Sequence, residues 1–351
     1  MSFISTLQER VKAAADSGSP LSIQGGNTKA FYGRTPAGET LSLKDHSGII
    51  DYTPSELVIS ARAGTTLKEL ESTLQDEGQM LAFEPPRFGK DATLGGTIAC
   101  GFSGPRRPYA GAARDFVLGI NCISGTGEWL RFGGQVMKNV AGYDVSRTLA
   151  GSLGTLAILT DIHVRVLPSP ETEQTRVIEC DAPAAIQRCN ELAAQPLPVT
   201  ASCHLDGQLY LRLSGLQQGV QAAAAAIGGD TLENAAEFWQ QLREHRLPFF
   251  HGERPLWRIA VAPATASLPV AEAQLLDWGG AQRWLHSEQP AAVIRQAVAA
   301  LDGHATLFRG GDHSDEVFQP LQPSLFSLHQ RLKQTFDPAG ILNPGRMYPG
   351  L

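Results

Sequence analysis

Residues 91–104, DATLGGTIACGFSG, set four glycines and three Ser or Thr hydroxyls among short apolar side chains. A stretch so poor in bulk contributes little to a core, but its glycines let the backbone approach a large anionic group and present N–H donors to it. Three more glycine-rich stretches echo it: IQGGNTK at 23–29, SGTGEWLRFGG at 124–134 and AGSLGTLAILT at 150–160. All four fall in the first half of the chain, which directs the functional reading there. LSIQGG at 21–26 reads as a buried strand running into a tight glycine turn, a place where a phosphate can approach main chain. Neither GxGxxG nor GK[ST] occurs in that turn, so a Rossmann dinucleotide site and a phosphate loop of the nucleoside-triphosphatase type both lack support.

With 351 residues the chain exceeds the usual size of one core, and two domains are expected. Apolar residues make up 42%, charged ones 18%, and the mean hydropathy is −0.12, the profile of a globular chain with a thin charge coat. The net charge of −6, with no block of Lys or Arg, argues against nucleic acid as the partner. The N-terminal MSFISTLQERVKAAADSG has no signal-peptide pattern, and nowhere do eighteen charge-free apolar residues run together. A cytoplasmic location follows as the expectation, peripheral to the inner membrane only through partner subunits. Cys100, Cys122, Cys180, Cys189 and Cys203 form no CxxC pair, so neither a disulfide framework nor a self-contained iron–sulfur site is expected.

Along the chain, spacing predicts a helix over 5–16 through Leu7, Val11, Ala14 and Ala15, strands within 40–63, and a helix from Thr65 to Leu74 capped by Thr65. Arg106, Arg107, Arg114 and Lys138 bring cations to the central glycine stretch, suited to a diphosphate or a partner carboxylate. DFVLGINCISGTGEWLRFGG reads as two strands about a reversal, and Pro168 and Pro170 mark the clearest boundary. Beyond it, TEQTRVIEC, APAAIQRCNELAAQ, LDGQLYLRLSG, VQAAAAAIGG with helix continuing through GGDTLENAAEFWQQLREH, LWRIAVAPA and AAVIRQAVAALDGHATLFRGG alternate strand and helix in the ferredoxin-like order. A last helix closes at Asp337, Pro338 and Gly340.

The ordered pieces IQGGNTK, ARAGTTLKELESTLQDEG, DATLGGTIACGFSG, RPYAGAARDFVLGINCISGTGE, KNVAGYDVSRTLAGSLGTLAILT and FDPAGILNPGR together resemble the flavin-binding domain of the vanillyl-alcohol oxidase and p-cresol methylhydroxylase superfamily. Within it the chain is most similar to the smaller flavin-domain subunits of bacterial glycolate oxidases. The resemblance implies an α+β fold: a p-cresol-methylhydroxylase-type FAD-binding domain of two α/β subdomains over 1–170, a ferredoxin-like cap over 171–320, and a C-terminal segment, 321–351, returning to the flavin domain. It implies non-covalent FAD, because the first loop, GGNTKAF, lacks the His that tethers flavin in some relatives. By position, Gly25, Gly26, Asn27 and Thr28 would meet the diphosphate from one side and Thr93, Gly95, Gly96 and Thr97 from the other. Gly101, Ser103 and Gly104 would approach the ribityl and ring region, and Gly154, Thr155 and Ile158 the adenosine or ribityl side.

The same resemblance implies oxidation of a small 2-hydroxy acid, chemistry that requires hydride loss to the flavin, a base, and a cation for the carboxylate. Longer relatives carry an HxGDGN-type segment in the cap, and this chain has LFRGGDHSDE at 307–316 instead. With no HxH or HExxH, no metal is expected. His251, His304 and His313 are the candidate bases and Arg309 the candidate clamp, but no catalytic set is assigned. The expected partners are therefore a larger homologous FAD-binding catalytic subunit and an iron–sulfur subunit, with electrons passed to an acceptor other than NAD. A stand-alone 2-hydroxyacid dehydrogenase acting on D-lactate or glycolate and a non-catalytic flavin-fold scaffold are the alternative readings.

Overall fold

The structure is a computed structural model and describes residues 2–134, 144–266, 268, 273–314 and 316–351. The first helix, α1 (Phe3–Ser17), is capped by the Ser2 hydroxyl, which accepts from the Ser5 amide, and it buries Leu7, Val11 and Ala14. Strands β1 (Leu21–Gln24) and β2 (Glu39–Ser42) pair in parallel beneath it. A five-stranded sheet follows, built from β3 (Ile49–Thr53), β4 (Val58–Arg62), β6 (Val117–Ser124), β7 (Trp129–Gly133) and β8 (Ala157–Arg165) in the order β3-β4-β8-β6-β7. Two short strands, β5 (Gln79–Met80) and β9 (Leu167–Pro168), pair at its side. The helix α2 (Leu67–Asp76) buries Leu67, Leu70 and Leu74; its cap is Thr66 rather than Thr65, because the Thr65 hydroxyl is bonded to Gly48 instead.

The decisive stretch is itself helical. Thr93 caps α3 (Leu94–Cys100) by accepting from the Gly96 amide, and Gly101 ends it in the left-handed region at φ 65°. Leu94 and Ile98 point into the core of the five-stranded sheet, so the segment does contribute to a core after all.

The second half forms one eight-stranded sheet from β10 (Thr172–Glu179), β11 (Val199–Leu205), β12 (Gln208–Gly215), β13 (Asp230–Thr231), β14 (Leu256–Ala260), β15 (Gln274–Asp277), β16 (Gln282–His286) and β17 (His304–Arg309). Its order is β13-β10-β12-β11-β15-β16-β14-β17. Numbered within each half, both halves read 4-1-3-2, the ferredoxin-like order, and they join where β11 pairs β15 at Cys203–Asp277 and His204–Leu276. The cap is thus two such units side by side rather than one. The helix expected to run on through 228–246 is interrupted: Gly228 and Gly229 take φ 76° and 75°, and β13 turns back to pair β10 before a helix resumes over Ala235–Arg243.

The C-terminal helix Pro323–Phe336 and the tail after it lie against the first half. Leu342 bridges Leu21 in parallel, and the Asn343 carboxamide accepts from the Ile23 amide and donates to the Leu153 carbonyl. Lys333 Nζ, buried, donates to Asp337 Oδ2 at 2.7 Å and to the Thr155 and Leu342 carbonyls at 2.8 Å each. Asp337 also accepts from the Ile341 and Leu342 amides. Burial pulls the Lys333 pKa down and Asp337 opposes it.

Removing one member of a buried, hydrogen-bonded pair strands the other, at a cost of about 3–5 kcal/mol. Asp337→Ala is therefore expected to lower unfolding stability by that amount in urea titration, and Lys333→Met, which strands Asp337 but leaves it the Ile341 and Leu342 amides, by less.

Candidate functional site

The turn after β1 and the start of α3 face each other across a groove with about 710 Å³ of non-protein space, open solvent included. Gly25, Gly26, Asn27 and Thr28 form one wall and Thr93, Gly95 and Gly96 the other, with Gly154 and the tail residues Asn343 and Arg346 at the end. Ala63, Leu43, Ala157 and Leu159 make an apolar floor.

The two walls differ chemically. At the start of α3 the amides are engaged inside the protein: Leu94 donates to the Thr65 carbonyl, Gly95 to the Ala63 carbonyl, Gly96 to Thr93 Oγ1 and Thr97 to the Thr93 carbonyl. Among the described residues that wall offers shape and no free amide donors. Across from it, the amides of Gly25, Gly26, Asn27 and Thr28 have no acceptor among the described residues, and Asn27 turns the chain at φ 58°. A run of unpaired amides around a left-handed residue is a nest for anionic oxygens.

The groove also carries cations that motif reading did not select. Lys29 is buried, and among the described residues its Nζ reaches only Thr28 Oγ1 at 3.5 Å and the Arg87 carbonyl at 3.3 Å. Arg346 is buried as well, and its Nε has no hydrogen-bond partner among the described residues. Burial pushes both pKa values down, Cys100 opposing in each case. Cations held in such a place, without a carboxylate at bonding distance among the described residues, suit an anion in the groove. The Cys100 thiol lines the groove too; burial pushes it up against the opposing pull of Lys29 and Arg346, so it stays a protonated thiol instead of a thiolate nucleophile.

The remaining residues singled out from sequence lie elsewhere. Thr97 is buried within α3, its hydroxyl without a partner among the described residues. Thr155 donates its hydroxyl to the Ser152 carbonyl and Ile158 packs in the core with Leu7 and Leu41, so both support the groove from beneath. Gly101 ends α3, while Ser103 and Gly104 line a second cavity toward the eight-stranded sheet. Arg106 is turned away from the groove: with Arg212 it grips Glu84 at 3.1 and 2.8 Å. Burial alone would raise the Glu84 pKa, but Arg212 and Arg106 outweigh it and hold the carboxylate low. Arg107 lies over the Trp278 ring at 4.4 Å. Lys138 and most of the KNVAGYD motif lie outside the described residues.

His313 is bonded through both ring nitrogens to the Gly33 and Gly310 carbonyls, each at 3.0 Å, and His251 and His304 are exposed. Arg309 covers the rings of Phe31 and Phe88 at 4.4 and 5.5 Å. These four residues therefore do not converge as a base and clamp.

Comparison with known proteins gives the chain a family. Residues 4–133 fit the family model described as FAD binding domain, and residues 309–347 that of FAD linked oxidases, C-terminal domain. The chain is 48% identical over 345 residues to the glycolate oxidase subunit GlcE of Escherichia coli, covering 98% of this chain and 97% of the other. The chain belongs to the GlcE family of glycolate oxidase subunits. It carries a non-covalent FAD-binding domain and is an FAD subunit of the glycolate-oxidase type. Glycolate oxidase subunit GlcD of Bacillus subtilis is 30% identical over 185 residues, spanning 52% of this chain and 39% of that longer one. Among solved structures, p-cresol methylhydroxylase with substrate bound superposes with a TM-score of 0.74 at 16% identity, over 99% of this chain and 87% of that one, the same fold. Among the described residues no helix is long and apolar enough to cross a membrane.

The glycines of the groove divide into two kinds. A Cβ on Gly26 would overlap the Asp91 carbonyl oxygen, whereas one on Gly96 would meet only Thr93 Oγ1, at 3.2 Å. Gly26→Ala is expected to destabilise the flavin-free chain by about 1–3 kcal/mol, the cost of overpacking. Gly96→Leu is expected to leave the melting curve of the flavin-free chain nearly unchanged while abolishing the visible flavin bands after reconstitution. Equal melting losses in both variants would refute the division.

Proposed function

We propose that this chain is the smaller FAD-binding subunit of a glycolate oxidase complex that converts glycolate to glyoxylate. In that complex it joins a larger homologous FAD-binding subunit, which holds the principal substrate site, and an iron–sulfur subunit through which electrons leave to an acceptor other than NAD. The observation that supports this reading is the end-to-end similarity to GlcE, together with the groove built where the flavin domain requires it. The complex is taken to work on the cytoplasmic side, reaching the inner membrane through its partners.

In this reading FAD lies in the groove, and when bound it supplies an acceptor for the hydride lost from a 2-hydroxy acid. The chain's own residues do the holding. The open amides of Gly25–Thr28 face the anionic diphosphate, and Lys29 and Arg346 neutralise it from two sides. The wall at Thr93, Gly95 and Gly96 allows close approach without competing for hydrogen bonds, and Leu43, Ala157 and Leu159 keep water from the apolar parts of the cofactor.

Charged hydrogen bonds of this kind contribute about 1.5–3 kcal/mol each, about 10–150-fold in affinity. Lys29→Ala and Arg346→Ala are each expected to weaken FAD binding within that range in a fluorescence titration, with a smaller dependence on salt than the native chain. Co-expression with the two partner subunits should yield a complex that reduces a dye with glycolate, and the isolated chain should show flavin bands without comparable turnover. Failure of the chain to retain FAD, alone or in the complex, would contradict the proposal.

A further inference from the structure

The loop at 84–89, EPPRFG, lies between the anion-facing turn of the groove and the cap. Toward the groove, the Arg87 carbonyl accepts from Lys29 Nζ at 3.3 Å, and the Phe88 ring meets Phe31 edge-on at 5.5 Å. Toward the cap, the amides of Arg87 and Phe88 both donate to the Glu244 carboxylate, reaching Oε2 at 3.1 and 2.9 Å. Glu244 directly follows the helix Ala235–Arg243, and its side chain is only 3% exposed. Arg243 Nε donates to its other oxygen, Oε1, at 3.1 Å.

The Arg87 carbonyl and the Phe88 amide belong to one planar peptide unit and point opposite ways. The same plane thus gives its N–H to Glu244 and turns its oxygen to Lys29. Phe88 stands at φ 52°, a left-handed conformation that is unfavourable for a bulky residue. Turning that peptide over would return Phe88 to negative φ and would aim the N–H, not the carbonyl, at Lys29. The strained orientation therefore needs an acceptor on the far side, and Glu244 is that acceptor. Held this way, Lys29 directs one ammonium donor to Arg87 and one, at 3.5 Å, to Thr28 Oγ1, leaving a third for an anion. Burial lowers the Lys29 pKa, while Cys100 and then Glu244 oppose it, so the carboxylate also favours the charged ammonium.

We propose that Glu244 is a positioning residue for the flavin: by fixing the 87–88 peptide it holds Lys29 at the groove, and so couples the seating of the cap to the retention of FAD. The inference rests on FAD occupying the groove. Glu244 does not line the groove itself, and the 87–88 peptide is the two-state element through which it acts. Because such coupling is reciprocal, bound flavin steadies the loop in turn.

The test is a double-mutant cycle on the full chain, read as FAD affinity by flavin fluorescence titration. Glu244→Ala is expected to weaken FAD by about 10-fold, and Glu244→Gln, which keeps one acceptor oxygen, by less. In a Lys29→Met background, Glu244→Ala is expected to cause little further loss, because its effect passes through Lys29. The cycle is run in parallel with Glu244→Gln, so that a failure of Glu244→Ala to fold leaves the same comparison in hand. FAD loading is also expected to slow hydrogen exchange at the Arg87 and Phe88 amides of the native chain, and to do so less in Glu244→Gln. Purely structural damage would instead give losses that add in the double variant. Additive losses, an unchanged affinity in both Glu244 variants, or exchange at 87–88 that ignores flavin overturns the coupling and leaves the flavin groove standing. A native chain that takes up no FAD, alone or with its partner subunits, overturns both.

Discussion

The approach of one backbone to another, between the turn at Gly25–Gly26 and the segment Asp91–Thr93, is the constraint on which the rest depends. Side chains at Gly26 would meet the Asp91 carbonyl, so only bare main chain closes the distance. That contact turns a strand end and a helix start into two walls of one groove. Because the α3 amides are bonded to Ala63, Thr65 and Thr93, the wall they form has no free amide donors among the described residues, and the task of meeting an anion falls chiefly on the opposite turn and on Lys29 and Arg346.

The far end of the groove is made by the C-terminal tail, which a buried cluster helps to hold. Lys333 and Asp337 have few partners apart from one another and the carbonyls and amides of Thr155, Ile341 and Leu342, so the tail's position follows from the satisfaction of two buried charges. Asn343 then reaches both β1 and Leu153, and Arg346 arrives at the groove as a consequence. At the other side, Glu84 receives one arginine from the flavin domain and one from the eight-stranded sheet, fixing the two halves so that Phe88, Phe102 and Arg258 share a cavity.

Much of this was legible in the residue order. The flavin-domain motifs, α1, α2, the C-terminal helix and the ferredoxin-like alternation all follow local rules of spacing and turn chemistry. What escaped was structure that violates those rules. The strand β16, Gln282–His286, is buried at every position and holds Gln, Arg and His inside; Arg283 is satisfied by the Gly280, Thr265 and Ala266 carbonyls. No apolar alternation signals such a strand, and with it went the doubling of the cap. The helix in DATLGGTIACG was hidden for a related reason: two glycines at its start lower its intrinsic propensity, and packing against the sheet compensates.

The sequence by itself determined that the first half of this chain presents glycine-rich main chain suited to an anionic group, because glycine spacing and strand-to-turn order are local properties that need no partner to be read; the flavin entered through the resemblance of its ordered motifs to a known domain. It could not determine which glycines face the groove and which face protein, nor that Arg106 serves Glu84 while Lys29 and Arg346 line the groove. Those assignments depend on which groups, hundreds of residues apart in the chain, become neighbours in a medium where an unpaired charge is costly. Only the tertiary structure sets those neighbours, and with them the division between charges that hold the fold and charges left to bind.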